Sequence, residues 1–239
     1  MVTGGGTGIG TATCKRLAHD GFAVAIVYSR SSAGAESVCQ AITEAGGSAR
    51  TYRADITSED DVIALFKSVK NDFGRIDVVI NNAGIGHLKP FADISMAEFD
   101  HLFNVNTRGT FMMCREAART IEDGGRIVNV STGATTSNTE GMSLYTASKI
   151  AMEGFTKVLA KELGPRQIAV NIVSPGMTDT PMLEGGDAEK LRKIGAQAAA
   201  MKRCGQSSDI ADAIAALTSN DCRWITGQNI GVNGGMTII

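Results

Sequence analysis

Short β-branched apolar runs alternate with longer amphipathic stretches along this chain, and that alternation restricts the fold more than any other feature. The apolar runs are "FAVAIVYS" (22–29), "SARTYRA" (48–54), "IDVVIN" (76–81), "GRIVNVS" (125–131), "IAVNIVS" (168–174) and "QNIGVN" (228–233). Helical patterns fill the gaps at 9–20, 33–46, 58–73, 95–121, 143–164 and 207–219. Strand–helix alternation of this kind predicts an α/β fold with a doubly wound parallel sheet and helices on both faces. Several strands are apolar at nearly every position, as a sheet covered on both sides requires. The 239 residues are read as one domain over 1–239, long enough for a sizeable core. The segment 181–205, "PMLEGGDAEKLRKIGAQAAAMKRCG", is too polar and glycine-broken for a core strand and reads as an inserted lid. Only "MVT" precedes the first glycine, so the first strand is very short or residues are missing ahead of Met1.

That first strand runs into "TGGGTGIG" (3–10), which opens a helix. Glycines there permit a tight turn and let backbone N–H groups approach a pyrophosphate at the helix N-terminus. The spacing of Gly4, Gly8 and Gly10 is G-x-x-x-G-x-G, not the common G-x-G-x-x-G. At the end of the second strand an acidic residue would take the adenosine ribose hydroxyls and favour NAD. The residues present are Tyr28, Ser29 and Arg30, with no Asp or Glu from 21 to 35. A guanidinium there pairs with a 2′-phosphate, which favours NADP(H) over NAD(H); the plain alternative for Arg30 is a solvated loop charge.

The motifs "TGGGTGIG", "NNAG" (81–84), "NVNTRGTF" (104–111), "YTASK" (145–149) and "SPGMTDTPM" (174–182) stand in one order and spacing. Together with "DIADAIAALTS" (209–219) and "ITGQNIGVNGGM" (225–236), they resemble the short-chain dehydrogenase/reductases over essentially the whole chain. Neighbouring activities are those of 3-oxoacyl carrier-protein reductases and glucose or polyol dehydrogenases. The resemblance implies a single Rossmann-type domain, a nicotinamide cofactor, a small-molecule carbonyl or alcohol substrate and a homotetramer. It implies that Gly4, Thr7, Gly8, Ile9 and Gly10 line the cofactor phosphates and that Asp55 and Ile56 contact the adenine. Asn82, Ala83 and Gly84 would support the cofactor after the fourth strand. Pro175, Gly176, Thr178 and Thr180 would hold the carboxamide and nearby phosphates. Ser29 stands where NAD-using members carry Asp, whereas Thr7 stands where many NADP-using members carry a basic residue.

The implied catalytic group is Asn106, a hydroxyl after the fifth strand, Tyr145 and Lys149. Relatives carry Ser thirteen residues before the Tyr; here that position is Thr132, with Ser131 beside it. Alternation puts the two on opposite faces, and spacing favours Thr132, while a loop one residue longer would favour Ser131. A carbonyl receiving hydride needs a proton donor at its oxygen. A free phenol titrates near ~10, and an ammonium one turn along the same helix face is expected to lower that value and to hold the nicotinamide ribose. Asn106 would hold a water that relays protons to Lys149. The alternative is a dinucleotide-binding sensor or structural subunit without turnover. Loops 85–95, 133–144 and 181–205 would set the substrate and carry no interpretable motif.

A net charge of −2 suggests no nucleic-acid partner. No apolar run approaches the ~18 residues of a membrane span. The five cysteines are odd in number, lack a C-x-x-C, and, like the three histidines, show no ligand spacing. No metal site and a reducing, cytoplasmic location are expected.

Overall fold

The computed structural model describes residues 1–185 and 187–238; Gly186 of the expected lid and Ile239 of the apolar tail lie outside them. The strands are β1 (Val2–Thr3), β2 (Val24–Tyr28), β3 (Ala49–Arg53), β4 (Val78–Asn81), β5 (Arg126–Val130), β6 (Ala169–Pro175), β7 (Thr178–Asp179), β8 (Gly205–Gln206) and β9 (Asn229–Val232). The helices are α1 (Gly8–His19), α2 (Ser32–Glu44), α3 (Glu59–Phe73), α4 (Met96–Phe103), α5 (Thr110–Thr120), α6 (Ala134–Ser137), α7 (Ser143–Leu163), α8 (Ala188–Ala198) and α9 (Ser207–Thr218). Seven strands form one sheet in the order β3-β2-β1-β4-β5-β6-β9, every pair parallel. The order reverses between β1 and β4, and the crevice at such a switch point is where open α/β sheets bind ligands.

Alternation along the strands builds two cores. Ala25, Val27, Val79 and Ile127 point to one face, where they meet Phe66 and Met113. Val24, Ile26, Ile80 and Val128 point to the other, against Leu17 and Ile214. Helices cover both faces, so every position of β1, β4, β5 and β6 is buried, whereas the edge strands β3 and β9 have none that is fully buried. The first strand is only two residues long, yet Val2 pairs with both Ile26 and Ile80.

The helix expected over 95–121 is interrupted. Ser95 caps α4 through a capping box with Glu98, and Asn104–Gly109 then form a π-helical turn before α5 begins. Hydrophobic periodicity does not register such a turn, because one extra residue per turn leaves the flanking apolar stripes readable. Gly109 lets the turn close on the sheet side: a Cβ there would lie 2.9 Å from the Ile56 side chain. The segment 181–205 also holds more order than the sequence suggests. It contains a 3-10 turn, Pro181–Gly185, the helix α8 capped by Asp187, and one strand of the separate β7–β8 ladder.

Candidate active site

The carboxyl ends of β1, β4, β5 and β6 open into a cavity of about 710 Å³. It runs from Arg30 and Asp55 past the glycine loop to Tyr145 and Lys149. At the start of α1, Thr7 is the N-cap residue but makes no side-chain capping bond, and the first turn carries no acidic residue. The first N–H groups of a helix have no intrahelical partner and carry partial positive charge. This end therefore offers donors to an anion without local competition, and Gly4, Thr7, Gly8 and Ile9 all line the cavity beside it. These features fit a pyrophosphate.

Gly10 does not line the cavity, contrary to expectation. It faces the loop it follows, where a Cβ would fall 2.1 Å from the Gly4 carbonyl oxygen. Its role is close packing of loop on helix. Thr3 and Asn82 hold the same loop from the β4 side. The Thr3 hydroxyl accepts from the N–H groups of Asn82 and Ala83, both at 3.0 Å, and the Asn82 amide donates to the carbonyls of Thr3 (3.0 Å) and Gly4 (3.3 Å).

At the adenine end, Ser29 and Arg30 follow β2 and both are exposed. Arg30 forms no ion pair among the described residues, but it faces Asp55 closely enough to help hold that carboxyl below its ordinary value. The larger cause there is local: Thr57 donates its N–H and hydroxyl to Asp55 at 2.9 and 2.8 Å. Ile56 lines the same end.

At the other end, α7 lies against β5. Asn129 and Ser131, two positions apart, both face the helix. Asn129 donates to Thr156 Oγ1 at 2.8 Å, and Ser131 donates to Glu153 Oε1 at 2.5 Å. Between them, the carbonyl of Val130 accepts from Lys149 Nζ at 2.8 Å. Thr132 lies just past the strand, where its hydroxyl accepts from the Ala134 N–H at 3.2 Å and stands near enough to the Tyr145 phenol to affect its titration. The two neighbouring hydroxyls thus face different residues of α7.

Burial pushes the Tyr145 phenol above its ordinary value, with the nearby Thr132 hydroxyl opposing the rise. The expected lowering by Lys149 is absent in the chain by itself, because the ammonium is turned onto the Val130 carbonyl. Burial pushes Lys149 down to about 8, and Glu153 works against that shift. Asn106, completely buried in the π turn, does not line the cavity. Its Oδ1 accepts from the Ile85 N–H at 2.9 Å, and its Nδ2 donates to the Ile85 carbonyl at 2.9 Å and to Ser148 Oγ at 3.2 Å. Behind Gly84 the groups converge: a Cβ there would lie 3.2 Å from Asn106 Oδ1 and 3.3 Å from Lys149 Nζ.

Pro175, Gly176, Thr178 and Thr180 line the wall from β6 toward the 3-10 turn. The Thr178 hydroxyl donates to the Gly176 carbonyl at 2.9 Å. Thr180 and Pro181 sit over Gly8, 3.3 and 3.6 Å from where its Cβ would be, and Met182 reaches across to Gly86 at 3.6 Å. His101, Met142, Met177 and Leu183 also line the cavity, although only Met177 lies within a motif. Met142 and Leu183 fall in the loops expected to set the substrate, whereas nothing in the sequence marks His101. Among the described residues no cluster of His, Cys, Asp or Glu could hold a metal, and no helix is long and apolar enough to cross a membrane.

A parallel sheet with a glycine turn at its switch point, joined by one cavity to a buried phenol and ammonium, defines the class of Rossmann-type dinucleotide-binding proteins. A family model described as enoyl-(acyl carrier protein) reductase matches residues 4–237. An uncharacterized oxidoreductase of Methylorubrum extorquens is 37% identical over 241 residues, covering 99% of this chain and 96% of the relative. The crystal structure of a dehydrogenase/reductase from Sinorhizobium meliloti superposes with a TM-score of 0.93 at 39% identity, covering 99% of this chain and 94% of that one. A short-chain dehydrogenase from Burkholderia cenocepacia, in complex with NADP, gives 0.92 at 38% identity, with 98% and 96% covered. The chain belongs to the short-chain dehydrogenase/reductase family and is an NAD(P)-dependent oxidoreductase.

Proposed function

We propose that the protein moves a hydride between NADP(H) and a ketone or secondary alcohol, with Tyr145 exchanging the proton at the substrate oxygen. The observation that carries this reading is the convergence of the Thr132 hydroxyl, the Tyr145 phenol and the Lys149 ammonium at one end of the cavity that begins at the glycine loop. The bound nicotinamide supplies or accepts the hydride. Thr132 and Tyr145 orient the substrate oxygen with two hydroxyl donors. Tyr145 gives up its proton in reduction and takes it back in oxidation. Lys149, anchored at Val130, provides a hand-hold for the ribose. Asn106 braces Ile85 and so fixes the strand end that carries Gly84. Ser131, engaged with Glu153, is not the hydroxyl that serves the substrate.

Ser29 and Arg30 support NADP(H) over NAD(H), and the NADP complex of the Burkholderia cenocepacia protein is consistent with that choice. The segment 181–205 acts as the substrate lid over the domain formed by 1–239. Exposed Phe111, Ile150 and Val158 on α5 and α7, with Phe111 edge-on to Phe155, offer an apolar face for assembly as a homotetramer. The five free cysteines suit the cytoplasm. The test is a panel of ketones, secondary alcohols, 3-oxoacyl thioesters and sugars with NADPH and NADH. Turnover of at least one carbonyl with NADPH is expected. Tight NADPH binding with no turnover on any member would favour a sensor instead, and light scattering that gave a stable monomer would remove the tetramer.

A further inference from the structure

We propose that Glu153 is a positioning residue for Lys149: held by Ser131 and one turn further along the same face of α7, it keeps the ammonium seated at the end of β5. The inference rests on the role given above to Lys149. Tyr145, Lys149 and Glu153 follow one another at four-residue spacing, so they share a helix face. All three are buried. Ser131 fixes Glu153 at 2.5 Å, and its neighbour Val130 fixes Lys149 through its carbonyl at 2.8 Å. The next residue, Thr132, stands beside Tyr145. Three successive residues at the end of β5 and in its turn thus face three successive turns of α7.

A buried carboxylate without a function is costly, and its removal is often neutral or stabilising. A single seryl donor does not compensate that cost, and Glu153 forms no direct ion pair among the described residues. The nearby cation it serves is Lys149. The remaining neighbours of that ammonium add no charge: Val130 and Ser131 on β5, Asn106 in the π turn and Gly84 after β4 are all uncharged, and Tyr145 carries its proton. Among the described residues Glu153 is the one charged group that acts on Lys149, and it favours the ammonium against burial. Replacing the carboxylate by an amide of the same shape leaves the packing intact and removes that charge.

The test is a titration of Lys149 in the chain without cofactor, followed by the Cε carbon shift of labelled lysine and assigned by its loss in Lys149→Met. In the wild type the midpoint is expected near 8. In Glu153→Gln it should fall by at least about half a unit, since a buried amine loses its favourable charge partner. Ser131→Ala should move it the same way by less, and carries the test if Glu153→Gln does not fold. The exposed Glu162→Gln is the control for charge alone and should leave the midpoint in place. In turnover, the alkaline limb of kcat/KM for ketone reduction should shift with the midpoint. An unmoved Lys149 midpoint in both Glu153→Gln and Ser131→Ala, or an equal shift in Glu162→Gln, would overturn the assignment. A protein that reduced no carbonyl would sink the reductase reading, and the carbon titration would still decide for or against Glu153.

Discussion

The glycine-loop side of the cavity and its outer rim are built on different terms. Around the loop, backbone touches backbone. A Cβ on Gly10 would fall 2.1 Å from a carbonyl oxygen, and one on Gly34 would fall 2.4 Å from the Gly6 carbonyl. At the rim the neighbours are side chains with room to move: among the described residues a Cβ on Gly86 would meet only Met182, at 3.6 Å, and Met182, which lines the cavity, is 59% exposed. Backbone contacts specify a shape that side-chain changes cannot easily alter, which suits a group shared by every turnover. Flexible apolar side chains adapt, which suits a surface that selects among substrates.

This contrast can be broken or sharpened by substitution. The largest effect should come from Tyr145→Phe, which keeps the ring and removes the proton. Activity should fall by roughly 10³-fold or more, while the NADPH dissociation constant stays near that of wild type; near-normal turnover would show that another group is the acid. Thr132→Ala should cost about 10²–10³ in kcat through loss of one oriented donor, and Ser131→Ala should cost less. The reverse order in steady-state kinetics would return the role to Ser131.

Gly10→Ala should abolish measurable NADPH binding, because the added methyl meets a carbonyl that cannot yield without moving the loop. Arg30→Ala should weaken NADPH by roughly tenfold to a hundredfold and leave NADH unchanged, as expected for one charge-assisted pair. Ser29→Asp should act in the same direction through repulsion. Equal affinity of the wild type for both cofactors, unchanged in Arg30→Ala, would make Arg30 an ordinary surface charge. Gly86→Ala should be the mildest, within about twofold in NADPH affinity, since its methyl meets only ordinary contact. If Gly10→Ala and Gly86→Ala behaved alike in isothermal titration, the distinction between the two regions would fail.

How far each region could be read in advance follows the same division. Strand positions were legible because burial on both faces forces continuous apolar runs, and the glycine loop because only glycine fits it. The thirteen-residue spacing singles out Thr132 over Ser131 only by count; that Ser131 is taken up by Glu153 is visible in three dimensions alone. The Ser131–Glu153 bond was not legible, because it joins residues on different elements and spacing along the chain does not show which side chains meet across them. The helix α8 was hidden by a polar, glycine-containing stretch whose order depends on the Asp187 cap and on Gly195 lying against Met177. The effect of Lys149 on the phenol was misjudged because sequence gives the spacing of two groups but not what else the ammonium touches.

The π turn at Asn104–Gly109 bears on how this chain tolerates insertion and deletion. Such a turn amounts to one surplus residue carried inside a helix. Removing a single residue from it would let α4 and α5 merge into an uninterrupted helix, with every backbone bond still satisfied. The residues beyond the deletion would keep their places, since the surplus is taken up within the turn itself, so Phe111 would stay exposed and Met112 and Met113 buried. The widened turn that brings Asn106 onto Ile85 would be lost. The amide beside Lys149 therefore depends on chain length as much as on its own identity.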